Sequence, residues 1–233
     1  MRIVVNHLTR MQPGYICVAG VDLATGRHVR PVSESGRLGT VLLVRERGPF
    51  DIAAVADLGQ VKPAGQAPEW EDYRFERFKA RRVESLAPAD FWRSLTLVSA
   101  TRLRDLFGPD LRPNGHGATV DVGQGKASLG CLAGVRPVLY IGADGKVRAQ
   151  FRSEGFDLDL SVTDIRLYEA DGLTPRAACM TDLNRRLAAG VMVILSLGLG
   201  RAWLKAGEAV SHHWLQLNNL HLADDPAWQD VAR

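Results

Sequence analysis

Short apolar runs that alternate in parity, broken every few residues by Gly, Pro, Asn or Asp, constrain this chain more than any single motif. Residues 3–8 are β-branched, residues 15–23 follow the Pro13-Gly14 turn, and Ala24-Thr25-Gly26 reverses the chain into residues 28–32. Residues 41–44, 52–61, 73–78 and 81–86 repeat the pattern. Period two between turn residues predicts strands, and many short strands predict small barrels or sandwiches.

The period changes at Pro88. Phe91, Leu95, Val98, Leu103 and Leu106 recur at helical spacing, with Pro88 at a first helical position, Asp90 in the first turn and Gly108-Pro109 as a stop. That spacing predicts one helix from Pro88 to the stop. The following RPNGHGATVDVGQGKA is rich in Gly and polar residues and predicts a boundary, dividing the chain into 1–112 and 113–233. Beyond it, strands are expected over 128–133, 137–141, 147–152 and 156–169, with Ala143-Asp144-Gly145 as a hairpin turn. Thr174-Pro175 starts a short amphipathic helix carrying Ala178, Leu183 and Leu187, and residues 191–197 and 213–222 close the chain as strands. The expected fold class is mainly β with accessory helices, a β-rich α+β chain in two halves.

Composition narrows the class. With 46% hydrophobic and 24% charged residues, the 233-residue chain reads as globular rather than disordered or fibrous. Net charge is only +3, yet residues 73–112 hold nine cations against five acids, and the first fifty residues hold seven arginines against three acids. An acidic patch, Glu69, Glu71 and Asp72, precedes the first of these stretches. Such a bias permits a polyanion partner, because phosphates are met mainly by Lys and Arg; a solvated arginine surface is the plainer reading. Cys17, Cys131 and Cys179 are odd in number and form no C-x-x-C pair, which argues against a disulfide framework or thiolate zinc site and predicts core thiols. VMVILSLGLG is too short to span a membrane, so a cytoplasmic protein with no membrane partner is expected.

SHHWLQLNNLHL, residues 211–222, gathers three of the six histidines. Strand parity places His213, Leu215, Leu217, Asn219 and His221 on one face, and His212, Trp214, Gln216, Asn218 and Leu220 on the other. His212 and His221 then lie about 30 Å apart on opposite faces, which argues against a metal site. Trp214 is either a base-stacking platform, with Gln216 beside it as a hydrogen-bonding group, or a half-buried core residue. In ILSLGLGRAW, Gly198 and Gly200 mark a bulge or a close approach, and Arg201 and Trp203 offer a phosphate contact and a stack. In GRHVRPV, parity joins His28 and Arg30 on a polar face near Tyr15, either for phosphate contact or simply solvated. SVTD reads as a turn cap, or as Asp164 holding Arg152 or Arg166 in a binding orientation. A metal-dependent nuclease reading would use Asp110, Asp144 and Lys146, although Ala-Asp-Gly-Lys is also an ordinary hairpin turn. Asp157 and Asp159 share a face that could take a cation or form a solvated edge.

Four stretches resemble the dual OB-containing domain family: GYICVAGVDLATGRHVRPVS, the acidic-aromatic PEWEDYRF, QFRSEGFDLDLSVTDIRLYE, and the closing pair ILSLGLGRAW and HHWLQLNNLHL. The sequence departs from the family pattern in the first strand, where NHLTRMQPG replaces a shorter turn. The resemblance implies two small OB-like barrels and nucleic-acid binding, often within bacterial conflict or defence systems, and it brings no catalytic residues. OB barrels combine a basic groove with aromatic stacking platforms. The expected function is therefore a non-catalytic module for single-stranded DNA or RNA, with no cofactor and no metal. Expected contacts are Tyr15, His28, Arg30, Arg81, Arg82 and Arg152 from the first barrel, the connecting segments and the second half. Arg201, Trp203, His212, Trp214 and Gln216 complete the set near the end of the chain. The alternatives are a protein-interaction adaptor, with protein partners encoded nearby, and the nuclease.

Overall fold

The computed structural model describes residues 1–34 and 36–228. Residues 229–233, the end of the second expected half, lie outside the described residues. The first half holds β1 (Arg2–Arg10), β2 (Tyr15–Asp22), β3 (His28–Ser33), β4 (Leu38–Gly39), β5 (Ala54–Asp57), β6 (Val61–Pro63), β7 (Asp72–Phe75) and β8 (Arg81–Ser85). They form one curled sheet in the order β6-β7-β3-β2-β1-β5-β8, with β4 on β2. Neighbours are antiparallel except β3 and β7. Two expected strands differ. Residues 41–44 fall in the 3-10 turns Thr40–Leu42 and Val44–Glu46, with only Leu43, between them, extended. The run 52–61 breaks into β5 and β6, because Gly59, at φ +70°, donates its N–H to Asp57 at 2.9 Å and turns the chain.

The single helix expected from Pro88 is two. The first, α1 (Pro88–Leu97), buries Phe91 and Leu95 in the first core. After it β9 (Ser99–Ala100) pairs parallel with β12 (below), and Ser99 Oγ donates to the Leu95 carbonyl at 2.7 Å, closing the helix end. Next, α2 (Leu103–Phe107) buries Leu103 and Phe107 in the other core. Helical spacing runs through the break because each half of the pattern serves its own core.

The second half contains β10 (Arg112–Asn114), β11 (Gly117–Asp121), β12 (Leu129–Ala133), β13 (Val138–Ile141), β14 (Val147–Ser153) and β15 (Phe156–Ser161), followed by α3 (Ala177–Ala188), β16 (Val193–Leu199) and β17 (His212–Leu222). One sheet runs β10-β11-β17-β16-β12-β9 and a smaller one runs β13-β14-β15. The Gly-rich RPNGHGATVDVGQGKA supplies the β10–β11 hairpin, and Leu111 beside it is fully buried. Strict alternation along β14 and β15 puts Val147, Ala149, Phe151, Phe156, Leu158 and Leu160 inward, as period two requires. The expected strand 156–169 stops at Ser161, where Asp164 opens the 3-10 turn Ile165–Leu167 and accepts the Arg166 N–H at 3.1 Å. Among the described residues the chain is mainly β, with two curled half-barrel sheets and three helices, and no helix is long and apolar enough to cross a membrane.

The two sheets meet along a polar seam. Asn219 of β17 behaves as an extra backbone unit for β1: its Oδ1 accepts from Leu8 N–H at 2.7 Å and its Nδ2 donates to the Leu8 carbonyl at 3.1 Å. Glu71 accepts from Ser128 N–H, Ser128 Oγ and Leu129 N–H at 2.9, 2.8 and 3.2 Å. Cys131 and Ile194, from the second half, pack into the first core.

Candidate nucleic-acid interface

Register in β17 explains the histidine-rich stretch. Leu217 pairs with Leu197, but Asn219 pairs with Ser196, so Asn218 is an inserted residue. The bulge inverts parity beyond it: Leu220 and Leu222 join Leu215 and Leu217 in the second core, whereas the parity expectation had set Leu220 on the opposite face. Gly198 opposite has no Cβ because one would collide with the Asn218 amide, so the glycine marks the close approach read from sequence.

The polar face that includes Trp214 is covered. Its side chain is only 8% exposed, with Lys205 Nζ 4.6 Å from the ring centroid, the Trp203 ring at 6.2 Å and the His212 ring edge-on at 6.0 Å. With its faces filled, Trp214 supports the outward Trp203, which is 49% exposed. His212 donates through Nδ1 to Asp121 at 2.9 Å, and Gln216 is half-buried against Gly200.

Arg30 is buried in a four-charge network rather than on a solvated face. Arg30 Nε lies 2.5 Å from Asp72 Oδ1, while Arg201 reaches Glu69 at 2.5 Å and Asp72 at 2.6 Å. The acidic patch before the basic stretch thus neutralises two cations read as phosphate contacts, though half of the Arg201 side chain still faces solvent. Trp70, between those acids in sequence and 56% exposed, was not singled out by strand parity because it lies in a loop. His28 also turns inward: Nε2 is 3.3 Å from Asn6 Nδ2 and 3.7 Å from Cys131 Sγ, and burial lowers its pKa to about 4. Tyr15 is exposed, with the Arg37 guanidinium 5.7 Å from its ring.

Asp164 is fully buried and grips Arg166, accepting from Nε at 2.9 Å and from Nη2 at 2.7 Å. Arg166 also donates to the Leu220 and Trp228 carbonyls and lies 3.9 Å from the Trp228 ring. Of the arginines weighed for Asp164, the partner is Arg166, and the pair ties β17 to the segment at Trp228. Arg152 is exposed beside Asp157 at 3.7 Å. Asp159 is held by Arg148 at 2.9 Å and Tyr140 at 2.7 Å. Asp144 caps its own hairpin through Lys146 N–H, and Asp110 accepts from Gly125 N–H, so each serves local backbone.

The exposed cations gather elsewhere. Edge strand β8 is exposed along its whole length, and the loop before it carries Phe78, 87% exposed, with the Arg77 guanidinium 4.7 Å from its ring. Beside them, Val44, Arg47, Gly48, Pro49 and Ala80 to Arg82 line a cleft of about 430 Å³. Arg81 stands 3.6 Å from Asp57; among the described residues neither Arg47 nor Arg82 has a carboxylate partner. An open aromatic ring next to uncompensated guanidinium groups is the chemistry of base stacking with phosphate contact. Arg81 and Arg82 were expected here; Phe78 and Arg47 were not. RFERFKARR, residues 74–82, carries the signal in its interleaved aromatics and cations.

A third cluster lies at the seam: one nitrogen each of His7 and His28 and the Cys131 sulfur lie within 4.8 Å of one another.

Two curled half-barrels joined along one seam define a tandem OB-like architecture. The dual OB-containing domain model matches residues 1–220, and the chain belongs to that family. No curated protein and no solved structure matches it.

Proposed function

We propose that this chain is a non-catalytic module that binds single-stranded DNA or RNA on the outer edge of its first barrel, in a reducing, cytoplasmic setting. The observation that carries the reading is Phe78, almost wholly exposed beside Arg77 and next to the Arg47/Arg81/Arg82 cleft. An exposed phenyl ring on a polar loop is unfavourable in water. Here it offers a base a flat partner, worth about 1–3 kcal/mol per stacked base, while the arginines neutralise the adjoining phosphates. The family architecture supports the same use, since OB barrels bind oligonucleotides on one face and its rim loops. Tyr15 beside Arg37, Trp70 and Trp203 are further exposed aromatics available for stacking.

Photocrosslinking of a uridine- or thymidine-containing oligonucleotide, followed by peptide mapping, tests the placement. Crosslinks within residues 76–82 are expected. Crosslinks confined to Trp203 and its neighbours would move the site, and their absence throughout would remove it.

A further inference from the structure

We infer that His7, His28 and Cys131 form a zinc site that staples the two barrels together. His7 is on β1, His28 on β3 and Cys131 on β12, so the ligands come from both sheets. In a tetrahedral zinc site with Zn–N near 2.0–2.1 Å and Zn–S near 2.3 Å, the N···S edge is about 3.6 Å. Cys131 Sγ lies 3.7 Å from His28 Nε2, and all three ligand atoms fall within 4.8 Å of one another. The histidine rings meet edge to face at 5.2 Å, an arrangement compatible with two ligands of one ion.

The polar atoms around this point are unsatisfied in a way that a cation resolves. His7 is 2% exposed; the Asn218 amide lies 3.1 Å from its Nδ1, while its Nε2 has no hydrogen-bond partner. Asn6, fully buried, projects its Nδ2 between His28 Nε2 and Cys131 Sγ and leaves Oδ1 unpartnered. Buried polar groups are ordinarily paired, so the unpartnered His7 Nε2 indicates a missing partner. Turning the Asn6 amide over, an exchange of O for N with little change of shape, brings its oxygen 3.3 Å from His28 Nε2 and 3.2 Å from Cys131 Sγ, where it can serve as a further ligand. The supporting residue is in place too. Metal-bound histidine needs its other nitrogen held, and the Asn218 carbonyl oxygen can accept from His7 Nδ1–H after the same exchange. The bulge and Gly198 put Asn218 there, which gives both features a purpose beyond strand irregularity.

The neutral state of both imidazoles favours binding, and the thiol defines what binding releases. Burial keeps both histidines neutral, with lone pairs free, and pushes the Cys131 thiol up to about 12. Zinc capture therefore converts thiol to thiolate and releases one proton per ion. His28 is half-buried, which leaves an approach for the ion.

Cobalt(II) titration of the metal-free full chain tests the site. One equivalent is expected to produce a thiolate-to-cobalt charge-transfer band, displaced by zinc. Cys131→Ser and His28→Gln should lose the band, Cys17→Ser and Cys179→Ser should keep it, and Asn218→Ala should weaken affinity about 10-fold. Zinc should raise the melting temperature of wild type and not of Cys131→Ser. Absence of the band in folded wild type, or its persistence in Cys131→Ser, overturns the site. Should Cys131→Ser not fold, X-ray absorption of zinc-loaded wild type decides: a shell with one sulfur supports the assignment, and one without sulfur overturns it. Oligonucleotide binding is read separately, so failure of either result leaves the other standing.

Discussion

Asp164 shows how far one residue can be read from sequence. Its cap on the following turn was legible, because Asp before a turn commonly accepts a backbone N–H. Its grip on Arg166 was one of two alternatives, and its Leu220 contact, across 56 residues, depends on folding. Removing one partner of a buried ion pair leaves the other charge uncompensated, so Asp164→Ala should cost about 3–5 kcal/mol in urea denaturation. A cost near zero would mean Arg166 finds solvent. Glu71 gives a pH test. Burial raises its carboxyl above the ordinary 4.5 despite hydrogen bonds from Ser128 and Leu129. A raised folded-state pKa means the folded chain keeps a proton that the unfolded chain has released. Its contribution is complete below 4.5 and is lost as pH rises through the folded value. Denaturation midpoints across that window should therefore fall less steeply in Glu71→Gln than in wild type; parallel curves would contradict the assignment.

At the scale of elements, alternation located most strands, since period two follows from backbone geometry alone. It failed where one residue changed the register. Asn218 is unremarkable in sequence, yet its insertion reverses which residues of β17 face the core. Helical spacing likewise hid the break between α1 and α2, because the two helices serve different cores in succession. Aromatics were ranked by strand parity, which favoured Trp214 and passed over the loop residues Phe78 and Trp70. The candidate edge itself predicts separable effects. Phe78→Ala and Arg82→Ala should each weaken oligonucleotide binding, by about 1–3 kcal/mol for the lost stack, as read by fluorescence anisotropy. Both side chains are exposed, so melting temperatures should stay within error of wild type. Lost binding accompanied by lost stability would place these residues in the fold instead.

For the whole molecule, the two β-rich halves and the family were legible because short strands and several quoted stretches recur along nearly the entire chain. The seam was not. Asn219 mimicking backbone for Leu8, Glu71 reaching Ser128, and Cys131 meeting His7 and His28 all join residues more than fifty positions apart. Charge was equally ambiguous until pairing was visible: Arg30 and Arg201 are spent on Glu69 and Asp72, while Arg47 and Arg82 are left facing solvent. In the proposed function, this remaining charge and Phe78 together hold a single strand. Affinity for a labelled single-stranded oligonucleotide, measured across a salt series, tests it directly. With Arg47, Arg81 and Arg82 as phosphate partners, log affinity should fall against log salt with a slope of about −2, and Arg82→Ala should reduce that slope by about 0.7. No binding at low salt, or binding indifferent to salt and to Arg82→Ala, would contradict it.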